Sequence, residues 1–558
     1  GITDALLNTG GAGLPTRTEV IDFINGLDAA DTDNDGVLTE PRYQMGDPLH
    51  AQPASVIYGP TVDDAVLYFA TNNGFLHAID PTTGSEKWAF VPEEFLGNQV
   101  DLFLDSSTVT KTYGIDGSLR VQMIRDSDGV VEPADGEKVY LFFGVRRGGD
   151  IYYGLDVTNP DQPRVLWRHD SSTLPGIGQT WAAPTPARIN IAGASYAAGN
   201  TTDQLVLVIG GGYDTDQDNA IASTDGVGNS IYIVDSVSGN VLWRASNAGA
   251  TQNYSVSGGR KGTMEYSIPG DVKVVDLNTD GYADRMYAAD MGGQVWRFDI
   301  RNGQPASTLT TGGVIAKLGS AASATPTVAD TRRFYYSPDI ALVNTAEAKF
   351  MHVGIGSGHR PHPNSTAHHD RFYALRDYAP FAKLTQLQYD SLTPAVDGDL
   401  LDITDDLTPT IPPDSKGWRF ELRDGGWVGE KVLAEGRTFN NQVFFTTFKP
   451  GASASADPCA PSLGTNRLYV MSLFTGAPVT NLDGSLDETV LTLEDRYVEF
   501  AGSIAADVVF LFPSPEDPDT CVGEECTPPP VACVDLFCLP TGFGNAPIRT
   551  FWSQESVD

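Results

Sequence analysis

Basic residues are scarce in this sequence. Lysine and arginine together number 36 among 558 residues, against 72 aspartates and glutamates, and the formal net charge is −36. Nucleic acids and anionic membrane surfaces attract proteins chiefly through clustered lysine and arginine. The charge balance therefore argues strongly against both as partners, and it favours a soluble domain in a salt-exposed or calcium-rich setting.

Long apolar runs are missing as well. No window approaches the roughly 20 apolar residues that a transmembrane helix needs, so we expect that the chain does not itself span a membrane. The sequence starts at Gly1 without an initiator methionine or the apolar core of a signal peptide. We expect this start to be a processed end or the edge of a fragment, with any export signal outside it.

Cysteine is sparse and unevenly placed. Of five cysteines, four lie in a proline-rich stretch, at Cys521, Cys526, Cys533 and Cys538, and Cys459 stands apart. Spacing of i, i+5 in a loop is typical of disulfides in an oxidising compartment and differs from the C-x₂-C of zinc sites. We expect the pairs Cys521–Cys526 and Cys533–Cys538, with the fifth cysteine free or paired outside the chain.

Turn-forming and aromatic residues, by contrast, are plentiful. There are 58 glycines, 36 prolines, 25 phenylalanines, 21 tyrosines and 8 tryptophans, a composition typical of short strands and tight turns. Six segments share one pattern: an apolar strand, a glycine turn, a strand ending in Asp, a second turn and an aromatic residue. These segments are 67–88, 139–167, 205–243, 285–300, 350–377 and 442–478.

Repetition of such small antiparallel sheets predicts a mostly β fold, a β-propeller with irregular insertions. The alternative is an array of β-sandwiches. Trp88, Trp167 and Trp243 lie 79 and 76 residues apart, but Trp296 follows after only 53. We interpret the unequal spacing as insertions between blades, which often carry function.

Two stretches differ from the repeats. The segment 18–27 has apolar residues at helical spacing and ends in glycine and an acidic loop. The segment from Pro513 onward is rich in Pro, Asp and Cys and is expected to be an extended, disulfide-stapled loop. The predicted organisation is a helical lead-in with an acidic loop (1–45), a propeller (46–512) and a Pro/Cys-rich C-terminal tail (513–558).

The sharpest chemical signal is the acidic loop 276–284. Oxygen-bearing side chains occupy positions 1, 3, 5 and 9, glycine occupies position 6, and a backbone carbonyl is available at position 7; the predicted Ca²⁺ ligands are Asp276, Asn278, Asp280, the Tyr282 carbonyl and Asp284. This alternation suits a hard cation that takes oxygen ligands. Position 12 is Tyr287 in place of the bidentate Glu of an EF-hand, and the flanking sequence is strand-like. We therefore predict a calcium loop between strands; the alternative is a solvated Asx turn.

A second candidate precedes the repeats. The predicted ligands here are Asp31, Asp33, Asp35, the Val37 carbonyl and Glu40, with the closing acid one position late. The alternative is a solvated acidic linker. Two weaker acidic stretches, 126–129 and 214–218, are interpreted as turns.

Catalytic motifs are absent from the sequence. There is no G-x-S-x-G nucleophile elbow and no phosphate-binding glycine loop that opens a helix. Histidines do cluster in one loop, at His359, His362, His368 and His369. A metal site is the alternative, but the loop is proline-rich and lacks the i, i+4 spacing of zinc proteases, so we expect exposed loop histidines. These observations predict a protein that is not an enzyme.

Four stretches resemble the C-terminal propeller of the PilC/PilY family of type IV pilus biogenesis factors and tip adhesins. They are 46–53 (GDPLHAQP), 275–300 (VDLNTDGYADRMYAADMGGQVWRFDI), 354–377 (GIGSGHRPHPNSTAHHDRFYALRD) and 429–448 (GEKVLAEGRTFNNQVFFTTF). The resemblance implies a modified, roughly seven-bladed propeller with calcium at 276–284. Some members carry a second calcium site just before the propeller, where Asp31, Asp33 and Asp35 fit and Thr39 departs from the pattern.

The resemblance also implies a role at the pilus tip and outer membrane. Calcium occupancy in the family governs pilus extension against retraction, and members support adhesion and twitching motility. The implied partners are minor pilins of the tip complex and a host or abiotic surface. The Arg-Gly-Asp tripeptide that some members use for integrins does not occur here.

Two other function classes compete. The segment 78–88 (AIDPTTGSEKW) also resembles blades of quinone-dependent (PQQ-type) dehydrogenases, but the motif is clear only once or twice and no two cysteines are adjacent. A sugar-binding propeller lectin is the third possibility, and it would need exposed aromatic platforms on the loops.

Overall fold

Short strands form seven consecutive sheets of three to five strands each. The computed structural model describes residues 1–42, 45–105, 111–126, 128, 130–255, 263–345, 348–451, 464–483, 490–502, 504–512, 530–535 and 537–540. Nearly all strand pairs are antiparallel, and neighbours in a sheet are mostly neighbours in sequence. The predicted mostly β, roughly seven-bladed propeller is confirmed.

The first three sheets lie between residues 54 and 253. Sheet 1 consists of β1 Ala54–Ile57, β2 Ala65–Ala70, β3 Leu76–Ile79 and β4 Glu86–Phe90. Sheet 2 consists of β5 Leu119–Ile124, β6 Lys138–Gly144, β7 Tyr152–Asp156 and β8 Arg164–His169. Sheet 3 consists of β9 Thr185–Arg188, β11 Leu205–Gly210, β12 Ser230–Asp235, β13 Val241–Ser246 and β14 Gln252–Asn253.

The next two sheets lie between residues 273 and 421. Sheet 4 consists of β15 Lys273–Val275, β16 Arg285–Ala289, β17 Gln294–Ile300 and β19 Thr310–Lys317. Sheet 5 consists of β20 Asp339–Asn344, β21 Lys349–Gly356, β22 Arg371–Asp377, β23 Leu401–Asp402 and β24 Gly417–Glu421. A two-stranded parallel pair, β10 Ile191–Ala192 and β18 Gln304–Pro305, connects an insertion of sheet 3 to one of sheet 4.

Two sheets complete the series. Sheet 6 consists of β25 Lys431–Val432, β26 Arg437–Phe439, β27 Gln442–Lys449, β28 Thr465–Ser472 and β29 Tyr497–Ala501. Sheet 7 consists of β30 Val509–Leu511, β31 Val531–Val534 and β32 Phe537–Pro540. Sheet 7 corrects the prediction of an extended loop from Pro513, because its hairpin pairs with β30 and buries Ala532 and Val534.

Sheets 2 to 6 each pack one face against the sheet before and the other against the sheet after. Six hydrophobic cores each join two consecutive sheets; for example, one core holds Val66 of sheet 1 with Leu141 of sheet 2, and another holds Phe444 of sheet 6 with Ala532 of sheet 7. Inner strands such as β11 and β12 are therefore buried along their whole length. Burial on both faces explains why their sequences are continuous apolar runs and do not alternate.

Tryptophans in the fourth strands of sheets 1, 2 and 5 join each of these sheets to the next one. The indole N–H of Trp88 donates to the Pro160 carbonyl, that of Trp167 to the Ser236 carbonyl and that of Trp418 to the Leu473 carbonyl. Trp296 lies in the third strand of sheet 4 and donates to Asp290. It is not equivalent to the others, which explains its irregular spacing better than an insertion does.

Four short helices occur in the described part of the chain: α1 Asp4–Leu7, α2 Arg17–Ile24, α3 Gln99–Phe103 and α4 Gln386–Ser391. The predicted lead-in helix is α2, which begins at a capping box between Thr16 and Glu19. Leu7 and Val20 pack on Leu96 and Val100 beside α3. The longest of these helices has eight residues, and none of them has the length and apolarity to cross a membrane.

Of the predicted disulfides, Cys533–Cys538 is present and closes the hairpin of sheet 7. Cys459, Cys521 and Cys526 lie outside the described residues.

Candidate calcium sites

The loop 276–284 joins β15 to β16 at one end of sheet 4. Gly281 has a φ of +85° and Thr279 a φ of +60°, and both left-handed turns curl the backbone around the acidic side chains. The far end of the loop is fixed, because the Ala283 N–H donates to the Arg188 carbonyl of sheet 3 and the Asp284 N–H donates to the Val275 carbonyl. The flanks are strands, as predicted, and not the helices of an EF-hand.

The side-chain oxygens of the loop point inward. Asp276 accepts the backbone N–H of Thr279 on one oxygen, at 2.7 Å, and that of Gly281 on the other, at 2.8 Å. Asn278 Oδ1 accepts the Asp280 N–H at 2.9 Å, and Asp280 Oδ1 accepts the Tyr282 N–H at 2.8 Å. These bonds orient three of the predicted ligands within one turn.

Asp284 differs from the other acids of the loop because it is buried. Its carboxylate is 3% exposed and accepts the Leu277 N–H at 3.0 Å on one oxygen. The other oxygen contacts the Lys383 ammonium at 2.5 Å. Lys383 belongs to the insertion between β22 and β24, so the loop already holds a positive charge at its ninth position.

The donor set fits calcium in its chemistry: it has four side-chain oxygens at alternating positions and one carbonyl, on a turn built around glycine. The structure orients Asp276, Asn278 and Asp280 together, but it does not bring the Asp276, Asp280 and Asp284 carboxylates within 4.8 Å of one another. Asp284 must exchange the Lys383 ammonium for the ion before it can close the site.

The first acidic loop, 28–40, is more tightly gathered. Asp31, Asp33 and Asp35 place one carboxylate oxygen each within 4.8 Å of the others, and so do Asp28, Asp33 and Glu40. Asp33 is common to both sets. Gly36 has a φ of +83°, and its N–H donates to Asp31 at 3.0 Å, which repeats the position 1 to position 6 contact of the later loop.

Asp28 is a candidate ligand that the sequence reasoning missed. It lies three residues before the D-x-D-x-D run and is buried at 4% exposure. Its N–H donates to the Glu40 carbonyl, so the two ends of the loop meet. The nearby Asp35, Asp33, Asp28 and Asp31 carboxylates, together with desolvation, raise the pKa of Glu40. A cation would relieve that repulsion. Val37 is exposed and its N–H donates to Asp35.

Of the two weaker acidic stretches, 214–218 is a turn, as predicted, and 126–129 is described only at Asp126 and Asp128. Asp214 accepts the Asp216 N–H at 3.0 Å in a short 3₁₀ turn. Asp128 donates its N–H to Asp126 at 2.9 Å, but a third acid, Glu137, also lies within 4.8 Å of both. Backbone N–H groups of Asp126 and Glu132 occupy the two oxygens of Glu137.

The histidine prediction was wrong for two of four residues. His359 and His368 are each 1% exposed, whereas His362 is exposed and His369 stacks on Trp427 with ring centroids 4.1 Å apart. The surface statistics of histidine failed here because the loop folds back over the ends of β21 and β22.

Comparison with known proteins places these features in a family context. Residues 57–321 match the family model of the PilY1 β-propeller domain, a range that includes the loop 276–284. The chain is 26% identical over 323 residues to the type IV pilus biogenesis factor PilY1 of Pseudomonas aeruginosa strain UCBPP-PA14, which covers 51% of this chain and 23% of that protein.

A second relative covers more of the chain. It is the PilY1 homolog of Xylella fastidiosa strain Temecula1, 25% identical over 426 residues, which covers 74% of this chain and 26% of the relative. The chain thus spans about a quarter of the length of these curated relatives. Both are named as pilus biogenesis factors and not as enzymes.

Among solved structures, the crystal structure of the Pseudomonas aeruginosa PilY1 C-terminal domain has the same fold. The TM-score is 0.57 at 19% identity, and the match covers 85% of this chain and 92% of that one.

Proposed function

Because the chain belongs to the PilC/PilY family of type IV pilus biogenesis factors, we propose that it is a calcium-binding propeller that acts in pilus biogenesis at the cell surface. In this proposal calcium occupancy of the loop 276–284 sets the balance between pilus extension and retraction, and so supports adhesion and twitching motility. The protein works at the pilus tip in association with the outer membrane. Its partners are minor pilins of the tip complex and a host or abiotic surface.

The observation that carries the proposal is the loop 276–284 within the matched propeller domain. Asp276, Asp280 and Asp284 are three carboxylates on a nine-residue loop between two strands. Without a divalent cation, the Lys383 ammonium pairs with Asp284, and Asp276 and Asp280 have no ion pair within the described residues. Calcium binding would neutralise the repulsion and fix one loop conformation, which pilus components could recognise.

The free energy available suits a local switch. Binding stabilises the folded state by RT ln(1 + L/Kd), where L is the free calcium concentration, or about 2.7 kcal/mol at a hundredfold excess over Kd. This can order one loop, whereas six inter-sheet cores hold the propeller together. Chelated protein should therefore keep its far-UV β signal; loss of that signal would make calcium structural and contradict the switch.

Calcium titration by calorimetry tests the site. Asp284→Ala should weaken calcium binding at the loop sharply, because it removes the buried carboxylate that completes the set of oxygen ligands. Asp216→Ala, an exposed acid in the 3₁₀ turn, is the matched control and should bind as wild type does. Asp33→Ala, which removes the acid common to both carboxylate sets of the first loop, separates the two sites. Equal effects of Asp284→Ala and Asp216→Ala would overturn the assignment.

A cellular experiment tests the role. Asp280→Ala should reduce surface pili while the secreted level of the protein stays unchanged, and deletion of the retraction motor should restore the pili. Pili that stay absent after that deletion would assign the protein to assembly alone. The proposed function is non-enzymatic; a stable quinone spectrum with alcohol oxidation after reconstitution with quinone and calcium would contradict it.

A further inference from the structure

A cavity of about 620 Å³ opens beside the insertion between β21 and β22. Its wall includes Ala220, Val328 and three histidines, His359, His362 and His368. The cavity lies on elements other than the two acidic loops, and the proposed function makes no use of it. Two of its histidines are buried, which requires a physical reason, since an imidazole always carries polar nitrogens.

The tautomer of His368 is fixed by one hydrogen bond. Its Nε2 lies 2.9 Å from the backbone oxygen of Ala220, which can only accept, so Nε2 carries the proton. Nδ1 then holds a lone pair. No donor among the described residues reaches that lone pair. An N–H bond to a backbone carbonyl behind an exposed lone pair is how metal-binding histidines are commonly oriented.

His359 has fewer hydrogen-bond partners than His368. Within the described ranges neither of its ring nitrogens has a hydrogen-bond partner, although the ring is 1% exposed. A neutral imidazole carries a proton on one of its two nitrogens. The other nitrogen is left as a buried lone pair, and a buried polar atom without a partner costs about 1–3 kcal/mol.

The three imidazoles are close to one another. The ring centroids of His359 and His368 are 4.5 Å apart, and those of His359 and His362 are 5.2 Å apart. In the described part of the pocket no three donor atoms lie within 4.8 Å of one another. His362 is exposed on its loop and can rotate inward, so two buried nitrogens form the fixed part of a site and His362 supplies its movable third ligand.

We propose that His359, His368 and His362 bind a divalent transition-metal ion, with Zn²⁺ as the working example. Neutral imidazole is a ligand of zinc, copper and nickel, whereas calcium takes oxygen ligands. The site therefore differs in chemistry from the acidic loops, and the two kinds of site do not compete for one ion.

The protonation states agree with this assignment. His359 and His368 are each 1% exposed, and burial disfavours the charged imidazolium form. Both rings are therefore neutral at physiological pH, as metal binding requires. The nearby Asp370 carboxylate is fully buried, and its Oδ2 has no donor among the described residues. A cation at the histidines would compensate its charge.

Two positive groups oppose the cation. Arg333 donates to Gln217 Oε1 at 2.9 Å and to the Asn219 carbonyl at 2.6 Å. Lys431 donates to the carbonyls of Pro363 and Ser365 at 2.6 and 3.0 Å, and burial lowers its pKa to about 8. Both are turned toward carbonyl oxygens, so the pocket repels a cation only in part. We expect a site that buffers or senses the metal and does not hold it permanently.

Zinc titration of the full chain, with calcium kept saturating so that the acidic loops are filled, tests the proposal. Wild type should bind a single equivalent. His359→Gln and His368→Gln should each weaken binding by at least about tenfold, the loss that removal of a zinc-site contact typically produces. His369→Gln, which alters the neighbouring ring stacked on Trp427, should bind as wild type does.

A second measurement keeps the test decisive if a variant misfolds. Cu²⁺ added to the wild-type protein should give an electron paramagnetic resonance spectrum with hyperfine coupling to at least two imidazole nitrogens. Absence of nitrogen coupling, absence of zinc binding, or unchanged zinc affinity in both folded variants would overturn the proposal and leave the cavity filled by water.

Discussion

At Asp284 the chain supplies its own cation. The Lys383 ammonium contacts the one buried carboxylate of the loop 276–284, and in the proposed function a calcium ion would have to displace it. Lysine is a compact charge on a flexible stem, so it can withdraw into solvent without moving the backbone. In the proposed function, the affinity of the loop for calcium would therefore depend on a residue 99 positions away in the sequence.

Lys383→Met should tighten calcium binding at this loop by about fivefold, equivalent to the roughly 1 kcal/mol of a partly exposed ion pair. The reason is that the variant leaves Asp284 without a competing partner. Calorimetry at fixed ionic strength measures the effect. Lys416→Met, which removes an exposed lysine paired with Asp399, is the control. Unchanged or weaker binding in Lys383→Met would show that the ammonium does not compete.

The sequence shows the first-order features of these sites and misses what distant segments add. The alternation of Asp276, Asn278 and Asp280 is readable because all three ligands lie within one turn. Lys383 is not readable, since only the folded insertion brings it to Asp284. The burial of His359 and His368 was missed for the same reason: local composition says nothing about what covers a loop.

A buried network of ion pairs and hydrogen bonds joins strands β16 and β17 of sheet 4 to residues 382–389. Arg285 of β16 and Arg297 and Asp299 of β17 are at most 1% exposed. Asp299 accepts from Arg285 Nε at 2.7 Å, Arg297 Nη2 at 3.1 Å, the Leu384 N–H at 2.8 Å and the Tyr389 hydroxyl at 2.8 Å. The same arginines donate to the Ala382 carbonyl. The network thus fixes the segment that carries Lys383.

Asp299→Ala should destabilise the protein by about 3–5 kcal/mol, because it removes the buried carboxylate that pairs with two buried guanidinium groups and leaves them only Asp377. Urea unfolding measures the change. Lys87→Ala, which breaks an ion pair whose side chains are 29% and 68% exposed, should cost no more than about 1 kcal/mol. Similar losses of unfolding free energy in Asp299→Ala and Lys87→Ala would show that the buried network stabilises the fold no more than an exposed ion pair does.

The sequence predicts where most strands lie, but it does not show which strands occupy equivalent positions in different sheets. Apolar strands ending in Asp and followed by a glycine turn appear where the sequence places them, as in β12 with Asp235. Trp296 was misaligned with Trp88 and Trp167 because an aromatic residue at the centre of a sheet and one at its outer strand look alike in sequence. Sheet 7 was missed because proline and cysteine outweigh its short apolar strands.

Several histidines are buried in the folded protein, and burial disfavours protonation of their rings. His352 of β21 is 1% exposed, and burial, with Arg376 nearby, lowers its pKa to about 3. Between that value and the ordinary pKa of about 6.5, the unfolded chain binds a proton that the folded chain does not. Stability therefore falls as the pH drops below about 6.5, at about 1.4 kcal/mol per pH unit for such a residue.

Comparison of urea unfolding at pH 7 and pH 5 tests this. Between pH 7 and pH 5, the free energy of unfolding of His352→Gln should fall by about 2 kcal/mol less than that of wild type. The variant lacks a group that the unfolded chain protonates and the folded chain does not, over roughly 1.5 pH units. His362→Gln, at an exposed histidine, should follow the wild-type profile. Parallel profiles for wild type and His352→Gln would contradict the assignment of the acid sensitivity to this ring.

The sheets follow one another along the chain, so they can form one after another while the protein is being synthesised. Every sheet is built from one contiguous stretch, and each core joins only consecutive sheets. A chain emerging from its N-terminus can complete sheet 1 at Phe90 and its first inter-sheet core once β8 ends at His169. It need not wait for distant partners, and contacts that close early shorten the exposure of unpaired strand edges. The open face of the newest sheet is an aggregation hazard until the next sheet packs on it, and the hairpin closed by Cys533–Cys538 covers the face that sheet 6 leaves open.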